Sequence, residues 1–396
     1  MPRAFLVPRM REHAVSIFAK MSALAVELDC INLGQGFPDT DGPDVLKDIA
    51  IDAIRDGRGN QYPPGHGLPA LREAIADHQQ RFYGLTYDWR SDIVVGTGAS
   101  EILQSALLAL VESGDEVIIF EPWFDIYVAG ISLAGATRVA VPMDLPGCRP
   151  NLAALRAAIT PRTKVLLLNS PHNPTGVVFT RDELREIAKL AIEYDLIVIS
   201  DEAYEHLWFT EKHGDQMVRH EHVSIATLPG MKERTITVGS AGKSFSFTGW
   251  KVGWAVGPAE LISAVRVVRQ HLSYVSSGPF QYAITAGLQL PDAYFDEFRA
   301  SLQSKRDVLT NGLSDLGFGI TESQGTYFLT TDVRGVGYES GLAFCEELPR
   351  RAGVVAIPHE ALCESSDAPN PFVRWAFCKK NEVLEQALDR LSQHFG

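Results

Sequence analysis

A lysine in an unusual setting offers the strongest chemistry in this sequence. Lys243 stands among small and hydroxyl-bearing residues, with aromatic residues after it and a second cation, Lys251, further along the same loop. Removal from water and a cationic neighbour both lower the pKa of an amine. Lys243 is therefore a candidate nucleophile that can form a Schiff base with a carbonyl group, although most lysines in proteins are only solvated charges.

A carboxylate and a phenol form a second candidate site. Asp201 follows the predicted buried strand Leu196–Ile199, where a charge is costly unless it meets a cation. Asp201 is therefore a candidate partner for a protonated nitrogen. Tyr204, three residues further on, can reach the same ligand.

An amide held between prolines forms a third candidate. Pro171 and Pro174 flank Asn173 and restrict the backbone around it, which suits a side chain that must hydrogen-bond a ligand oxygen in one orientation. The alternative is a rigid turn without a ligand. His172, in the same loop, is expected to be solvated rather than catalytic.

A small-residue turn supplies a candidate anion site. Gly98, Ala99 and Ser100 lie between a predicted strand, Asp92–Val95, and a predicted helix, Glu101–Val111. Backbone N–H groups at a helix N-terminus favour a phosphate. Taken alone this signal is weak, because short glycine-rich turns of this kind are structural more often than not.

These loops belong to a chain in which short apolar strands alternate with helical segments. This order predicts βαβ units and a mostly parallel sheet between helix layers, with ligands at the carboxyl ends of the strands. The last part of the chain reads as a smaller α+β unit, with a helix near Asp292–Leu316, a strand at Gly325–Thr330, a helix at Ser340–Arg351 and a strand at Phe372–Phe377.

Composition excludes several classes of protein. The chain has 396 residues, 45% of them hydrophobic, and a formal net charge of −13, which disfavours nucleic acid as a partner. The five cysteines are scattered without a CxxC pair, so neither a disulfide framework nor a metal site is expected. Without an apolar run long enough to cross a membrane or a continuous signal core, the chain is expected to be cytoplasmic.

The loops, in their order and spacing, resemble the fold-type I pyridoxal-phosphate-dependent aminotransferases of class I. The motifs that carry the resemblance are Asn32–Asp39, Asn60–Gly65, Asn173–Gly176, Ser240–Gly253 and Val373–Phe377. It implies an α/β fold with a mostly parallel seven-stranded sheet in a large domain, 46–282. It also implies a small C-terminal α+β domain, 283–396, which the arm 1–45 helps to form.

The resemblance assigns a role to each candidate residue. Lys243 would bind the cofactor covalently and move the substrate's proton, Asp201 would pair with the pyridine nitrogen, and Phe124 would stack on the ring. The remaining expected cofactor contacts are Gly98, Ala99, Ser100, Asn173, Tyr204, Ser240, Lys251 and Tyr62. The expected substrate contacts are Phe18, Gly36, Asn173 and Arg374, with Arg374 holding the α-carboxylate.

Two features implied by the resemblance concern neighbours of the site. Tyr62 and the loop near Ser276–Gly278 would reach the site of a second subunit, so a homodimer with shared active sites is expected. Lys251 stands where arginine is commoner in the family, so the bidentate fork to a phosphate is lost. Trp123 faces either the pocket or the core.

Within the class, the sequence is similar to the subgroup that includes kynurenine, glutamine and methionine transaminases and actinobacterial N-succinyldiaminopimelate aminotransferases, most of all the last. The implied reaction is a ping-pong transfer between N-succinyl-LL-2,6-diaminopimelate and 2-oxoglutarate, towards diaminopimelate and lysine. A cation for the distal carboxylates could come from Arg3, Arg9, Arg11 or Lys20. Alternatives are a transaminase of broad specificity, a cysteine-conjugate C–S β-lyase and a non-catalytic regulator.

Overall fold

The computed structural model describes residues 5–214, 216–364 and 369–395, so Arg3 lies outside the described residues. In these ranges no helix has both the length and the apolar character needed to cross a bilayer.

Short extended segments recur along the chain. The strands are β1 Ile31–Asn32, β2 Ile93–Thr97, β3 Glu116–Glu121, β4 Thr137–Asp144, β5 Arg149–Pro150, β6 Thr163–Asn169, β7 Ile197–Asp201, β8 Thr210–His213, β9 Gln216–Arg219, β10 Thr235–Ser240, β11 Val252–Val256, β12 Gly319–Thr321, β13 Phe328–Asp332, β14 Val354–Val355, β15 Ile357–Pro358 and β16 Phe372–Ala376.

Helices separate these strands, and a 3-10 turn at Pro8–His13 precedes them. They are α1 Ile17–Glu27, α2 Asp44–Arg55, α3 Pro69–Tyr83, α4 Gly98–Leu110, α5 Asp125–Ala134, α6 Leu152–Ala158, α7 Arg181–Glu193, α8 Ala241–Ser244, α9 Ala259–Leu272, α10 Gly278–Leu288, α11 Asp292–Asp315, α12 Gly341–Ala352 and α13 Asn381–Phe395.

The large sheet has the strand order β2-β11-β10-β7-β6-β3-β4-β5. It is mostly parallel, as predicted; β11 runs antiparallel to both of its neighbours, and β5 pairs antiparallel with β4. The predicted seven strands become eight in the structure because the two-residue strand β5 extends the edge beside β4. The six parallel strands direct their carboxyl ends to the same edge of the sheet, where ligands bind in open α/β folds.

The small sheet is antiparallel throughout, with the strand order β12-β13-β16-β15. The N-terminal segment joins this part of the molecule, since β1 pairs in parallel with β14. The predicted strand at Gly325–Thr330 begins only at Phe328, and residues 325–327 form an irregular approach to it. The predicted domain division at 282/283 falls inside α10, which packs against α2 and α3, and it stays a prediction.

Candidate active site

A cavity of about 330 Å³ opens at the carboxyl edge of the large sheet. Its walls come from the ends of parallel strands, from the segment 35–37 and from the small sheet. Every sequence-predicted site residue except Tyr62 lines it: Phe18, Gly36, Gly98, Ala99, Ser100, Phe124, Asn173, Asp201, Tyr204, Ser240, Lys243, Lys251 and Arg374. The fold thus brings together residues from both ends and the middle of the chain.

Lys243 projects into this cavity from α8, the short helix that follows β10. Its Nζ donates a hydrogen bond to Tyr327 Oη at 2.8 Å. Burial lowers the pKa of the Lys243 amine to about 8, with the neighbouring cations Arg374 and Lys251 acting in the same direction. At pH 7 an amine with this pKa is neutral in about a tenth of the molecules, far more than an exposed lysine, and a nucleophile or proton acceptor requires the neutral form.

Asp201 ends β7 and is buried beside the same cavity. Tyr127 Oη donates to its Oδ2 at 2.7 Å, and the Ala203 backbone N–H donates to its Oδ1 at 3.1 Å. Burial raises the pKa of the carboxyl group, partly against these two hydrogen bonds. Among the described residues no cation stands within ion-pair distance of it, so the site suits a ligand that brings its own positive charge.

The candidate anion-binding end of the cavity lies where α4 begins. Gly98 has φ +77°, a conformation that favours glycine, and its backbone turns directly into the helix N-terminus. Lys251 Nζ donates to Ser100 Oγ at 3.4 Å. Lys251 itself has φ +53° and follows a stack in which Trp250 lies between Phe247 and Phe280, at 3.7 and 4.6 Å between ring centroids.

Arg374 and Asn173 meet on the opposite wall, which belongs to the small sheet and the loop after β6. Arg374 donates from Nη1 to Asn173 Oδ1 at 2.9 Å and from Nη2 to the Gly34 carbonyl at 2.6 Å. The guanidinium carbon lies 4.8 Å from the Phe18 ring centre and 4.0 Å from that of Phe328. Burial lowers the Arg374 pKa to about 10, so the group stays charged at neutral pH.

Two sequence expectations about neighbouring residues are resolved by burial. The sequence left two locations for Trp123, the pocket and the core. Trp123 is 4% exposed and packs in the core instead of lining the cavity. His172 was expected to be solvated, and this is wrong. It is 2% exposed, hydrogen-bonds Thr175 Oγ1 at 2.8 Å and stacks on Phe179, so it helps to hold the Asn173 loop.

Tyr62 does not reach the cavity of its own chain. Its side chain is 79% exposed and packs edge-on against Tyr274, with ring centroids 5.3 Å apart. Arg269 fixes the backbone on both sides of this pair, donating to the Gly65 carbonyl at 2.6 Å and to the Tyr274 carbonyl at 2.9 Å. The tyrosine pair therefore stands on a rigid base and faces outward.

A buried polar cluster behind the site was missed by sequence reasoning. His78 Nε2 and His206 Nε2 are 2.9 Å apart, and Tyr83 Oη donates to Glu205 Oε2 at 2.6 Å. His78 Nδ1 has no partner among the described residues. If His78 Nε2 held a metal, its Nδ1 would carry the proton and would have no acceptor. The geometry therefore favours a hydrogen bond between the His78 and His206 rings in their neutral forms. Burial lowers the pKa of both rings, which keeps them neutral.

Sequence reasoning also missed two tyrosines that contact the central groups. Tyr127, inside α5, donates to Asp201, and Tyr327, just before β13, accepts from Lys243. Neither has a local signal, because the partner of each is distant along the chain. The cavity as a whole suits a flat ligand with a cationic ring nitrogen near Asp201 and an anionic group near Ser100, and a second, carboxylate-bearing ligand near Arg374.

Comparison with known proteins places this arrangement among related ones. The family model described as aminotransferase class I and II matches residues 28–391. A protein named a probable N-succinyldiaminopimelate aminotransferase from Mycobacterium tuberculosis is 46% identical over 98% of this chain and 98% of its own length. The methionine aminotransferase of Escherichia coli is 36% identical, with 98% of each chain covered.

A solved structure supports the same grouping. The three-dimensional structure of N-succinyldiaminopimelate aminotransferase from Mycobacterium tuberculosis superposes with a TM-score of 0.93 at 47% identity. The match covers 98% of this chain and 99% of that one. Both the sequence and the backbone are therefore similar over nearly the whole length.

Proposed function

This chain belongs to the class I and II aminotransferases, which depend on pyridoxal phosphate, and we propose that it transfers the amino group of N-succinyl-LL-2,6-diaminopimelate to 2-oxoglutarate. The transaminase class and the cofactor follow from the family. The amino donor is the proposal, and the observation that carries it is the 46% identity over 98% of the chain to the mycobacterial relative of that name.

The residues of the cavity fit pyridoxal phosphate. The clearest sign is the Asp201 carboxylate, which is buried without an ion-pair partner among the described residues and so suits the protonated pyridine nitrogen. We assign the phosphate to Ser240, Lys251 and the start of α4 at Gly98, Ala99 and Ser100. Phe124 would lie against the ring, while Asn173 and Tyr204 would bond its 3′ oxygen. When bound, the cofactor supplies an electron sink for the carbon from which a proton is removed.

The protein's own groups then have separable tasks. Lys243 Nζ holds the cofactor and takes the proton from the substrate Cα, for which its lowered pKa is suited. Arg374 holds the α-carboxylate with the N–H bonds not used on Asn173 and Gly34. This fixes the orientation of the Cα–H bond toward the amine. The same groups act in the return half of the ping-pong reaction.

The distal carboxylates of the proposed donor require a further cation. Lys20 is engaged with Glu346 at 2.8 Å, and Arg11 donates to the Leu6 carbonyl. Arg9 lies exposed on the 3-10 turn Pro8–His13, which packs against α5, the helix that begins beside Phe124. We therefore place the distal end of the donor toward Arg9.

Kinetic comparison of amino donors tests the proposed substrate. With 2-oxoglutarate as acceptor, kcat/KM for N-succinyldiaminopimelate is expected to exceed that for kynurenine, glutamine and methionine, and Arg9→Ala is expected to lower it for the succinylated donor alone. A preference for an aromatic or thioether donor would replace the proposal with a transaminase of broad specificity. Release of pyruvate and ammonia from a cysteine conjugate without an acceptor would indicate a β-lyase.

We further propose that the active unit is a homodimer in which Tyr62 of each chain reaches the other chain's phosphate site. The 79% exposure of Tyr62 and its rigid support by Tyr274 favour such a role. Two apolar side chains of α9, the helix that ends just before Tyr274, are also exposed: Val267 and Leu272, each at 52%. The unpaired state of the five cysteines, Cys30, Cys148, Cys345, Cys363 and Cys378, accords with the proposed cytoplasmic location.

A further inference from the structure

Tyr327 contacts the catalytic amine and the substrate-binding segment with the same oxygen atom. Lys243 Nζ donates to Tyr327 Oη at 2.8 Å, and Tyr327 Oη donates to the Gly36 carbonyl at 2.6 Å. A phenol has one proton, and the Gly36 carbonyl can only accept. The proton of Tyr327 is therefore committed to Gly36, and toward Lys243 the phenol acts only as an acceptor.

The ring of Tyr327 has little freedom to leave this position. It is 1% exposed and packs edge-on against Tyr204 and Phe328, at 5.3 and 4.8 Å between ring centroids. Its backbone carbonyl accepts from the Phe377 N–H at 2.9 Å. Burial and the neighbouring Tyr204 hold the pKa of the phenol well above its usual range, so it keeps its proton at any working pH.

The segment after β1 is held to the small sheet by a row of its carbonyl groups. The donors are Ala376 N–H to Leu33 at 2.6 Å, Arg374 to Gly34 at 2.6 Å, Tyr327 to Gly36 at 2.6 Å and Lys379 to Phe37 at 2.7 Å. Of these four donors, Tyr327 is the one to which Lys243 donates. It thus joins the substrate-binding segment to an amine carried by the large sheet.

The part of the chain that follows the segment 34–37 lies beside open space. A second cavity, of about 620 Å³, lies next to the loop 38–44 and has Tyr327 and Cys378 in its wall. The loop that continues from Gly36 and Phe37 therefore borders open space on the side of this cavity. Lys379 holds the end of the substrate segment at Phe37, and the hydrogen bond from Tyr327 to Gly36 links the segment to the partner of Lys243.

We propose that Tyr327 is the positioning residue of Lys243. It holds the amine at a fixed position relative to the segment 34–37, which covers the substrate. This inference rests on the proposed role of Lys243 as the group that takes the Cα proton. It extends that role because the position of the Lys243 amine then depends on the position of the segment 34–37.

Replacement of the phenol by a phenyl ring tests the proposal. Tyr327→Phe removes the bond to Lys243 and the bond to Gly36 and leaves the ring. Tyr294→Phe is the matched control, because Tyr294 Oη donates to the Ser244 carbonyl at 3.1 Å, one residue from Lys243, without touching the amine. Apart from Tyr327 itself, the charged and titratable groups around Lys243 are the same in both variants: Asp201, Tyr204, Lys251, Arg374 and Cys378.

The first readout does not involve activity. In the cofactor-free protein, competitive labelling of lysines as a function of pH reports the titration of Lys243 against an exposed lysine of the same chain. Loss of an acceptor that stabilises the ammonium form is expected to lower the midpoint by about one pH unit in Tyr327→Phe and not in Tyr294→Phe. Equal midpoints in wild type and both variants would overturn the proposal.

The second readout is the proton transfer itself. With a donor deuterated at Cα, Tyr327→Phe is expected to lower kcat about tenfold and to raise the isotope effect on kcat, because a misplaced acceptor makes this step limiting. An unchanged isotope effect would overturn the positioning role. If the wild type transaminates none of the donors, the proposed function fails while the labelling result still decides the hydrogen bond.

A second variant covers the case in which Tyr327→Phe does not fold. A Cβ at position 36 would stand 2.5 Å from Phe328 Cζ and 2.8 Å from Tyr327 Cε2. Gly36→Ala therefore displaces the rings of Phe328 and Tyr327 while the Tyr327 hydroxyl group is kept. The Lys243 midpoint is expected to fall in this variant as well, and an unchanged midpoint would count against the proposal.

Discussion

Arg374 illustrates how a buried cation is prepared for a ligand before the ligand arrives. Two of its N–H bonds are used on Asn173 and Gly34, and its guanidinium carbon lies over the rings of Phe18 and Phe328. Its Nε has no partner among the described residues. Such a group pays its desolvation cost in the unliganded protein, so a carboxylate that binds it is held in one orientation.

Arg374→Lys tests this preorganisation at the level of one residue. A lysine keeps the charge but loses the planar fork, so KM for the amino donor is expected to rise on the order of 100-fold, with cofactor absorbance unchanged. Steady-state kinetics measure the KM, and the absorption spectrum of the holoenzyme reports the bound cofactor. Arg334→Lys is the control, since Arg334 is exposed and pairs with Asp332. A KM within twofold of wild type would refute the assignment.

At the scale of elements, the proposed phosphate site depends on a close crossing of strand and helix. Gly253 lies in β11, and a Cβ there would come closer to the Ala99 nitrogen and the Gly98 carbonyl carbon than real Cβ atoms do. The strand can therefore pass directly beneath the first turn of α4 only as glycine. This crossing sets the direction of the N–H groups at Gly98, Ala99 and Ser100.

Gly253→Ala should weaken cofactor binding without abolishing the fold. The added methyl group pushes the start of α4 away from β11, and we expect the Kd for pyridoxal phosphate to rise at least tenfold, measured by titration of the apoprotein. Gly249→Ala is the matched control, because a Cβ at Gly249 meets no atom within 4 Å. Equal affinity in the two variants would mean that the crossing does not shape the site.

The elements also show what could be predicted from the sequence. In an open α/β sheet the carboxyl ends of parallel strands lie next to one another, so the local patterns after these strands predict one site for Lys243, Asp201 and Asn173. The sequence puts Tyr327 inside the predicted strand Gly325–Thr330, and its contact with Lys243 is encoded by no local pattern. His172 was misjudged for the same reason, because burial is decided by distant packing.

At the scale of the whole molecule, the net charge concerns the small anionic ligands, whereas the exposed tyrosine pair concerns a second copy of the chain. A net charge of −13 repels anions at long range, so an anionic cofactor and substrate are met by cations around the cavity, Lys243, Lys251 and Arg374. The exposed Tyr62 and Tyr274 pair lies outside that cavity. Tyr62 matches a cofactor contact of the family that the sequence resembles, yet it lies outside the cavity of its own chain. This position is explained if Tyr62 contacts the cofactor of a second copy of the chain.

Mixing two defective variants tests this sharing of sites. Lys243→Ala and Tyr62→Ala each damage every site of their own homodimer, but a mixed dimer has one site that takes a native Lys243 from one chain and a native Tyr62 from the other. After co-refolding at equal amounts, about a quarter of the sites are expected to be intact, and activity should rise accordingly. Lys243→Ala mixed with Asp201→Ala is the control, since both residues lie in one chain's cavity and no mixed site is whole. Recovery in neither mixture, or full activity of Tyr62→Ala alone, would overturn the sharing of Tyr62 between the two chains.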